Sequence, residues 1–207
     1  RNPEQIDYVI ANGSECEPYI TCDDQLMRTQ SSGIVEGMRI VLRLFPNARG
    51  VIAIEDNKPE AIEAMTHACE GDANLSVLPV MAKYPEGGER SLIGVVTGRQ
   101  LRFGQLPADL GCVVCNVSTL NAIYRAVCKT EPLMGRLFTV SGDAVANPHT
   151  LFVRIGTSCS ELLEAAGGIK PGSEARKILC GGPMMGIAMS TLDAPVAKNN
   201  NALTVLA

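Results

Sequence analysis

The sequence predicts an α/β protein, a mostly parallel, helix-covered sheet followed by a small mixed unit of β-grasp type. Three observations carry that reading. Short apolar runs alternate with amphipathic segments from Ile6 to Lys129, the pattern of strands joined by helices and buried on both faces. After Glu131 and Pro132 the runs alternate apolar with polar residues, as antiparallel strands do, around one short helix. At 207 residues, 46% of them hydrophobic, the chain is also long enough to bury a core of this size.

The elements follow in order. "IDYVIANG" (residues 6–13) reads as a strand ending in a glycine turn. Asp23 or Asp24 is placed to cap a helix through "DDQLMRTQSSGIVEGMRIVLRLF", which Pro46 and Asn47 stop. "GVIAIED" is a second strand, and "KPEAIEAMTHACEG" a helix with proline in its first turn and Gly71 closing it. "NLSVLPVM" gives a third strand, after which the glycine-rich "KYPEGGERSLIGVVTG" turns into another helix. "GCVVCNV" is a fourth strand, and "STLNAIYRAVCKT" a helix opening on Ser118. Beyond Pro132, "RLFTVSG" and "HTLFVRIG" pair as antiparallel strands and "TSCSELLEAAGG" is a short helix ended by glycines. "RKILCGGPMMG" then opens with a strand, and its "GGPMMG" loop either brings bare backbone to a ligand or is a turn packed by methionine.

Charge and cysteine usage narrow the function. With 22 acidic against 18 basic side chains and a net charge of -4, no stretch reads as a basic surface for nucleic acid. No apolar run approaches the ~18 residues of a membrane span, and none resembles a signal peptide. Of the eight cysteines only Cys112 and Cys115 have ligand spacing. In a strand, residues three apart face opposite ways, so these thiols read as small buried hydrophobes and no metal is expected on them. His67 and His149 lie in a helix and a turn without ligand-spaced neighbours, which speaks against a metal or hydrolase site.

Ligands of parallel sheets sit outside the carboxyl ends of the strands. Three turns belong there: Asn12 to Glu17, Lys83 to Glu89 and Asn116 to Thr119. Each offers polar groups or glycine where backbone N–H groups at a helix start could hold an anion, most plainly "NVST". Each alone is equally an ordinary cap or turn. Among the four acids of "ANGSECEPYITCDD", Asp23 and Asp24 suit a helix dipole, while Glu15 and Glu17 stand in the turn itself.

The blocks "NGSECEPYITCDDQLMR", "YPEGGERSLI", "NVSTLNAIYRAV", "TVSGDAVANP" and "GGPMMG" resemble the C subunit of the Rnf electron-transport complex. That subunit is a relative of the flavin-bearing NADH dehydrogenase subunit of respiratory complex I. The cobalamin reductase of propanediol-utilising microcompartments shares the same blocks. The resemblance implies residues 1–134 as an FMN- and NADH-binding α/β domain and 135–190 as a soluble-ligand-binding β-grasp domain. Residues 191–207 would be a terminal strand leading to an iron-sulfur domain. NADH would pass a hydride to FMN, and electrons would leave through [4Fe-4S] clusters, in a subunit held peripherally on the cytoplasmic face of the inner membrane by the other Rnf subunits.

The same resemblance assigns site residues. Where the relative's first turn runs N-A-D-E-S-E-P, this chain has Asn12, Gly13, Ser14, Glu15, Cys16, Glu17 and Pro18. Asn12 and Ser14 would meet FMN, and Glu15 and Glu17 the flavin edge and the incoming nucleotide. G-E-E-T-A-L becomes Gly87, Gly88, Glu89, Arg90, Ser91 and Leu92, so Glu89 alone keeps an acid. In the third turn Asn116 and Thr119 keep the FMN-phosphate positions. The family's glycine-rich flavin loop is expected upstream of Arg1 and its four-cysteine motifs downstream of Ala207, so this core alone is expected to bind FMN weakly and to be inactive. A docking domain without catalysis is the alternative.

Overall fold

The alternation in the first part of the chain folds into four parallel strands. The computed structural model describes residues 2–207. In it the strands are β1 (Tyr8–Gly13), β2 (Arg49–Glu55), β3 (Leu75–Val80) and β4 (Cys112–Asn116). The helices of this part are α1 (Cys22–Thr29), α2 (Ser31–Leu42), α3 (Pro59–Cys69), α4 (Glu89–Thr97) and α5 (Val117–Lys129). The spatial order is β3-β2-β1-β4, every pair parallel. The chain steps outward from β1 to β3, then crosses back to lay β4 on the other side of β1. Strand order therefore reverses between β1 and β4, the place where such sheets open a crevice at their carboxyl edge.

Period-two alternation assigns the faces. Ile10, Ala53, Val80 and Cys112 pack on Leu92 and Ile93 of α4. The other face carries α2, whose Met38 and Leu42 lie beside Gly50. Helices α2 and α5 also pack tightly on each other, because α2 presents glycine there. A Cβ on Gly37 would overlap the carbonyl oxygen of Leu120. At the amino edge Arg99 grips both oxygens of Asp7 at 2.7 and 2.5 Å and the Leu110 carbonyl at 2.6 Å. That end is thereby closed by structural pairing.

The second part is a five-stranded mixed sheet. Its elements are β5 (Gly135–Ser141), β6 (His149–Arg154), α6 (Cys159–Ala165), β7 (Lys177–Cys180), β8 (Ile187–Ala188) and β9 (Ala202–Leu206), in the sheet order β6-β5-β9-β7-β8. Phe138, Val140, Leu162, Leu163, Leu203 and Val205 form its core. Ser158 and Glu161 start α6 as a reciprocal cap, the serine hydroxyl accepting from the Glu161 N–H and the carboxylate from the Ser158 N–H. The chain divides into two units, one of the residues up to Cys16 with Leu26–Pro132, the other of Glu17–Gln25 with Leu133–Ala207. Residues 17–25 are bound into the second unit by two bonds: the Ser141 hydroxyl donates to the Tyr19 carbonyl at 2.5 Å, and the Thr21 N–H donates to the Thr139 hydroxyl at 3.1 Å.

Two expectations are corrected. The single helix foreseen from Asp23 to Phe45 is two, broken at Gln30, whose backbone leaves the helical region at φ -135° and ψ 32°. Asp23 and Asp24 lie inside the first turn of α1 instead of capping it, which still suits the positive end of the helix dipole. The strand expected within 191–207 is β9, which lies between β5 and β7 in the second sheet, parallel to the first and antiparallel to the second.

Candidate functional site

The carboxyl edge of the sheet is organised by Asn12. Its side chain leaves β1 on the α4 face. The Asn12 Oδ1 accepts the Ser14 N–H at 3.0 Å, and its Nδ2 donates to the Gly87 carbonyl at 2.9 Å. One amide thus shapes the turn after β1 and ties it to the loop that leads into α4. Gly87 makes that approach possible, since a Cβ there would stand 2.6 Å from the Ser14 carbonyl oxygen. Gly88 caps α4 and Glu89, exposed, is its first residue. Beside them the Ser14 hydroxyl is buried and, among the described residues, has no hydrogen-bond partner.

Across the switch point the register sets Asn12 next to Asn116. The Asn116 Oδ1 accepts both the Ser118 N–H at 2.8 Å and its hydroxyl at 2.6 Å, so this asparagine caps α5. Thr119 stands exposed in the first turn of that helix. Glu15 is buried, and its carboxylate lies 3.7 Å from the Lys58 ammonium. Glu17 belongs to the second unit, where its Oε1 accepts the N–H groups of Met184 and Met185 at 2.7 and 2.8 Å. It holds the "GGPMMG" turn, and Gly182 leaves the space its side chain fills.

Three charged residues at this edge went unread in the sequence: Glu55, Lys58 and Glu86. Glu55 ends β2 and Glu86 sits in the loop before α4, each 2% exposed. Lys83 pairs with Glu86 at 3.4 Å, and the Asp56 carboxylate fixes the same loop by accepting the Ala82 N–H at 3.0 Å. Burial pushes the Glu55 carboxyl above its ordinary value; Lys58 opposes this, while Asp56 and Glu86 add to it. A raised carboxyl in the folded state makes stability fall as pH rises from the unfolded value through the folded one. Glu55→Gln removes that slope. Denaturant titrations are expected to show the variant gaining on its parent as pH climbs above the ordinary glutamate range, and a gap that does not grow would contradict the assignment.

The paired cysteines behave as alternation requires. Cys112 packs in the α4-facing core, and Cys115, three residues on, faces the other way. Burial raises both thiols above their ordinary value.

Comparison with known proteins agrees with this architecture. The model of the Nuo51 FMN-binding domain matches residues 1–125, and that of the SLBB domain residues 137–188. The C subunit of the proton-translocating ferredoxin:NAD(+) oxidoreductase complex of Clostridium ljungdahlii is 44% identical over 97% of this chain and 43% of its own length. The corresponding C subunit of the Na(+)-translocating complex of Acetobacterium woodii is 40% identical over 98% of this chain and 45% of its own. The chain therefore spans less than half the length of these curated relatives. A chain of the NAD+-reducing [NiFe]-hydrogenase in its H2-reduced state superposes with a TM-score of 0.76 at 21% identity, over 99% of this chain and 41% of that one. Sheet order, the asparagine at the switch point and the match over residues 1–125 converge, and the chain belongs to the Nuo51 FMN-binding domain family, with an SLBB domain following.

Proposed function

We propose that this chain is the flavin- and NADH-binding core of the C subunit of an ion-translocating ferredoxin:NAD oxidoreductase complex. One observation carries the proposal: Asn12 joins the turn after β1 to Gly87 at the switch point, beside a buried hydroxyl of Ser14 that lacks a protein partner among the described residues. A buried polar atom left open is costly unless something bonds it. A glycine-lined approach with an open hydroxyl fits a ligand that brings its own hydrogen-bonding edge, as FMN does. Bound there, FMN would accept a hydride from NADH and pass electrons on singly.

The chain's own part is binding and orientation. Asn12, Ser14, Gly87 and Gly88 shape the flavin side, and the α5 start at Asn116 and Thr119 offers N–H groups and a hydroxyl to its phosphate. Glu15 and Glu89 face the nucleotide, where carboxylates accept from ribose hydroxyls and repel the extra phosphate of NADPH. Residues 1–134 form the flavin domain and 135–190 the SLBB domain, with the clusters carried elsewhere in the full-length protein. Neither of the two helix-bearing units has a helix long and apolar enough to cross a membrane among the described residues, which is compatible with a peripheral subunit on the cytoplasmic face, held by the other subunits. Similarity to the C subunits supports this parentage over the cobalamin reductase.

The test is flavin loading. Full-length protein mixed with FMN and freed of excess is expected to keep the visible flavin bands and to bleach on adding NADH but not NADPH. A colourless protein, or one that NADH leaves oxidised, would sink the proposal.

A further inference from the structure

Register brings two acids together at the carboxyl edge. Gly13 lies opposite Ile54, so Glu15 and Glu55 leave adjacent strand ends. Lys58 enters between these ends from the start of α3. Its own N–H donates to the Glu55 carbonyl at 3.0 Å, its carbonyl accepts the Ile62 N–H at 3.0 Å, and Pro59 sets the first turn. The backbone that launches this side chain is therefore rigid. The Lys58 side chain is 13% exposed, against 3% for Glu15, and their charged atoms are 3.7 Å apart.

A lysine buried this far serves something, because an ammonium out of water is stable only beside an anion. It makes no side-chain contribution to capping α3. Surface ion pairs are worth little, but breaking a buried pair leaves the second charge stranded. Lys58 gives Glu15 a counter-charge and a direction.

We propose that Lys58 is a positioning residue for the nucleotide side of the crevice: its ammonium fixes the Glu15 carboxylate, and with it the turn after β1, in the orientation that receives ribose hydroxyls. The proposal rests on the FMN and NADH reading above. It makes Lys58 act through Glu15 rather than on a phosphate directly.

Equilibrium binding of ADP-ribose to the flavin-loaded full-length protein tests it, since that probe carries the ribose hydroxyls without the nicotinamide that would reduce the flavin. Lys58→Met is expected to weaken ADP-ribose about tenfold with flavin content held within about twofold, and Lys58→Arg to restore affinity to within about threefold. Glu15→Gln with Lys58→Met should bind no more weakly than Glu15→Gln alone, because a residue acting through Glu15 has nothing left to do. Should Lys58→Met lose its flavin, that double variant decides, its charge being neutral at the site. An unchanged affinity in Lys58→Met, a loss that arginine does not restore, or a further tenfold loss in the double variant overturns the proposal. A parent protein that takes neither FMN nor ADP-ribose overturns this and the flavin reading together, whereas one that takes both while Lys58→Met matches it overturns this one alone.

Discussion

Gly37→Ala is expected to destabilise the first unit by at least about 2 kcal/mol, although helix propensity alone predicts a gain of about 1 kcal/mol from replacing a mid-helix glycine. The two effects have opposite signs, so the experiment is decisive. The added methyl would overlap the Leu120 carbonyl oxygen, which is backbone of the facing helix and cannot rotate away. Relief requires α2 and α5 to separate, and the side chains between them then lose contact along the whole interface. Gly33→Ala is the control. Its methyl would meet the Asn121 side chain and the Tyr124 ring, which can swing aside, so the loss there should be smaller. Denaturant titration followed by helical circular dichroism checks both, and a raised midpoint for Gly37→Ala would show that the helices do not approach so closely.

The second large effect is expected at Asn12. Asn12→Ala removes the bond to the Ser14 N–H and the bond to the Gly87 carbonyl together. Each is worth about 0.5–1.5 kcal/mol net, and both partners lie in partly buried backbone that has to be satisfied again. The turn then has to be reordered whenever a ligand binds, which lowers affinity even where contacts are unchanged. A loss of about 2–3 kcal/mol corresponds to roughly 30- to 150-fold weaker FMN binding. Asn12→Asp keeps the acceptor for Ser14 but sets a charge against the Gly87 carbonyl, so it should not rescue. Flavin fluorescence titration of the full-length variants measures this, and affinity within about threefold of the parent would remove Asn12 from the site.

Much of the fold was legible because it is local. Strand and helix alternate visibly up to Lys129, and glycine or proline marks the turns. The break at Gln30 was not legible. "TQSSG" is a dip in helix propensity but continues the apolar period, and what settles the break lies far along the chain: the Gln30 carboxamide accepts from the Asn121 side chain at 2.8 Å. The central place of β9 was hidden for the same reason, since pairing between Thr139 and Ala202 leaves no local trace. At the site, the asparagines and glycines could be read from turn chemistry. Glu55, Lys58 and Glu86 could not, because charged residues in "EDNKPE" and "YPEGG" look like any solvated helix start until the fold withdraws them from solvent. Glu17 was assigned with Glu15 by the resemblance of their turn to that of the relative, yet its Oε1 accepts the N–H groups of Met184 and Met185.

The stitching of residues 17–25 to β5 has a practical consequence. The chain passes from one unit to the other between Cys16 and Glu17, returns between Gln25 and Leu26, and passes again between Pro132 and Leu133. No single cut in the backbone can release either unit whole. Protease nicking near Pro132 would leave both fragments sharing the Tyr19 and Thr21 bonds to β5. Anyone dissecting the molecule would need to graft the nine-residue segment 17–25 onto the later piece, or circularly permute the chain, before the second unit could be studied by itself.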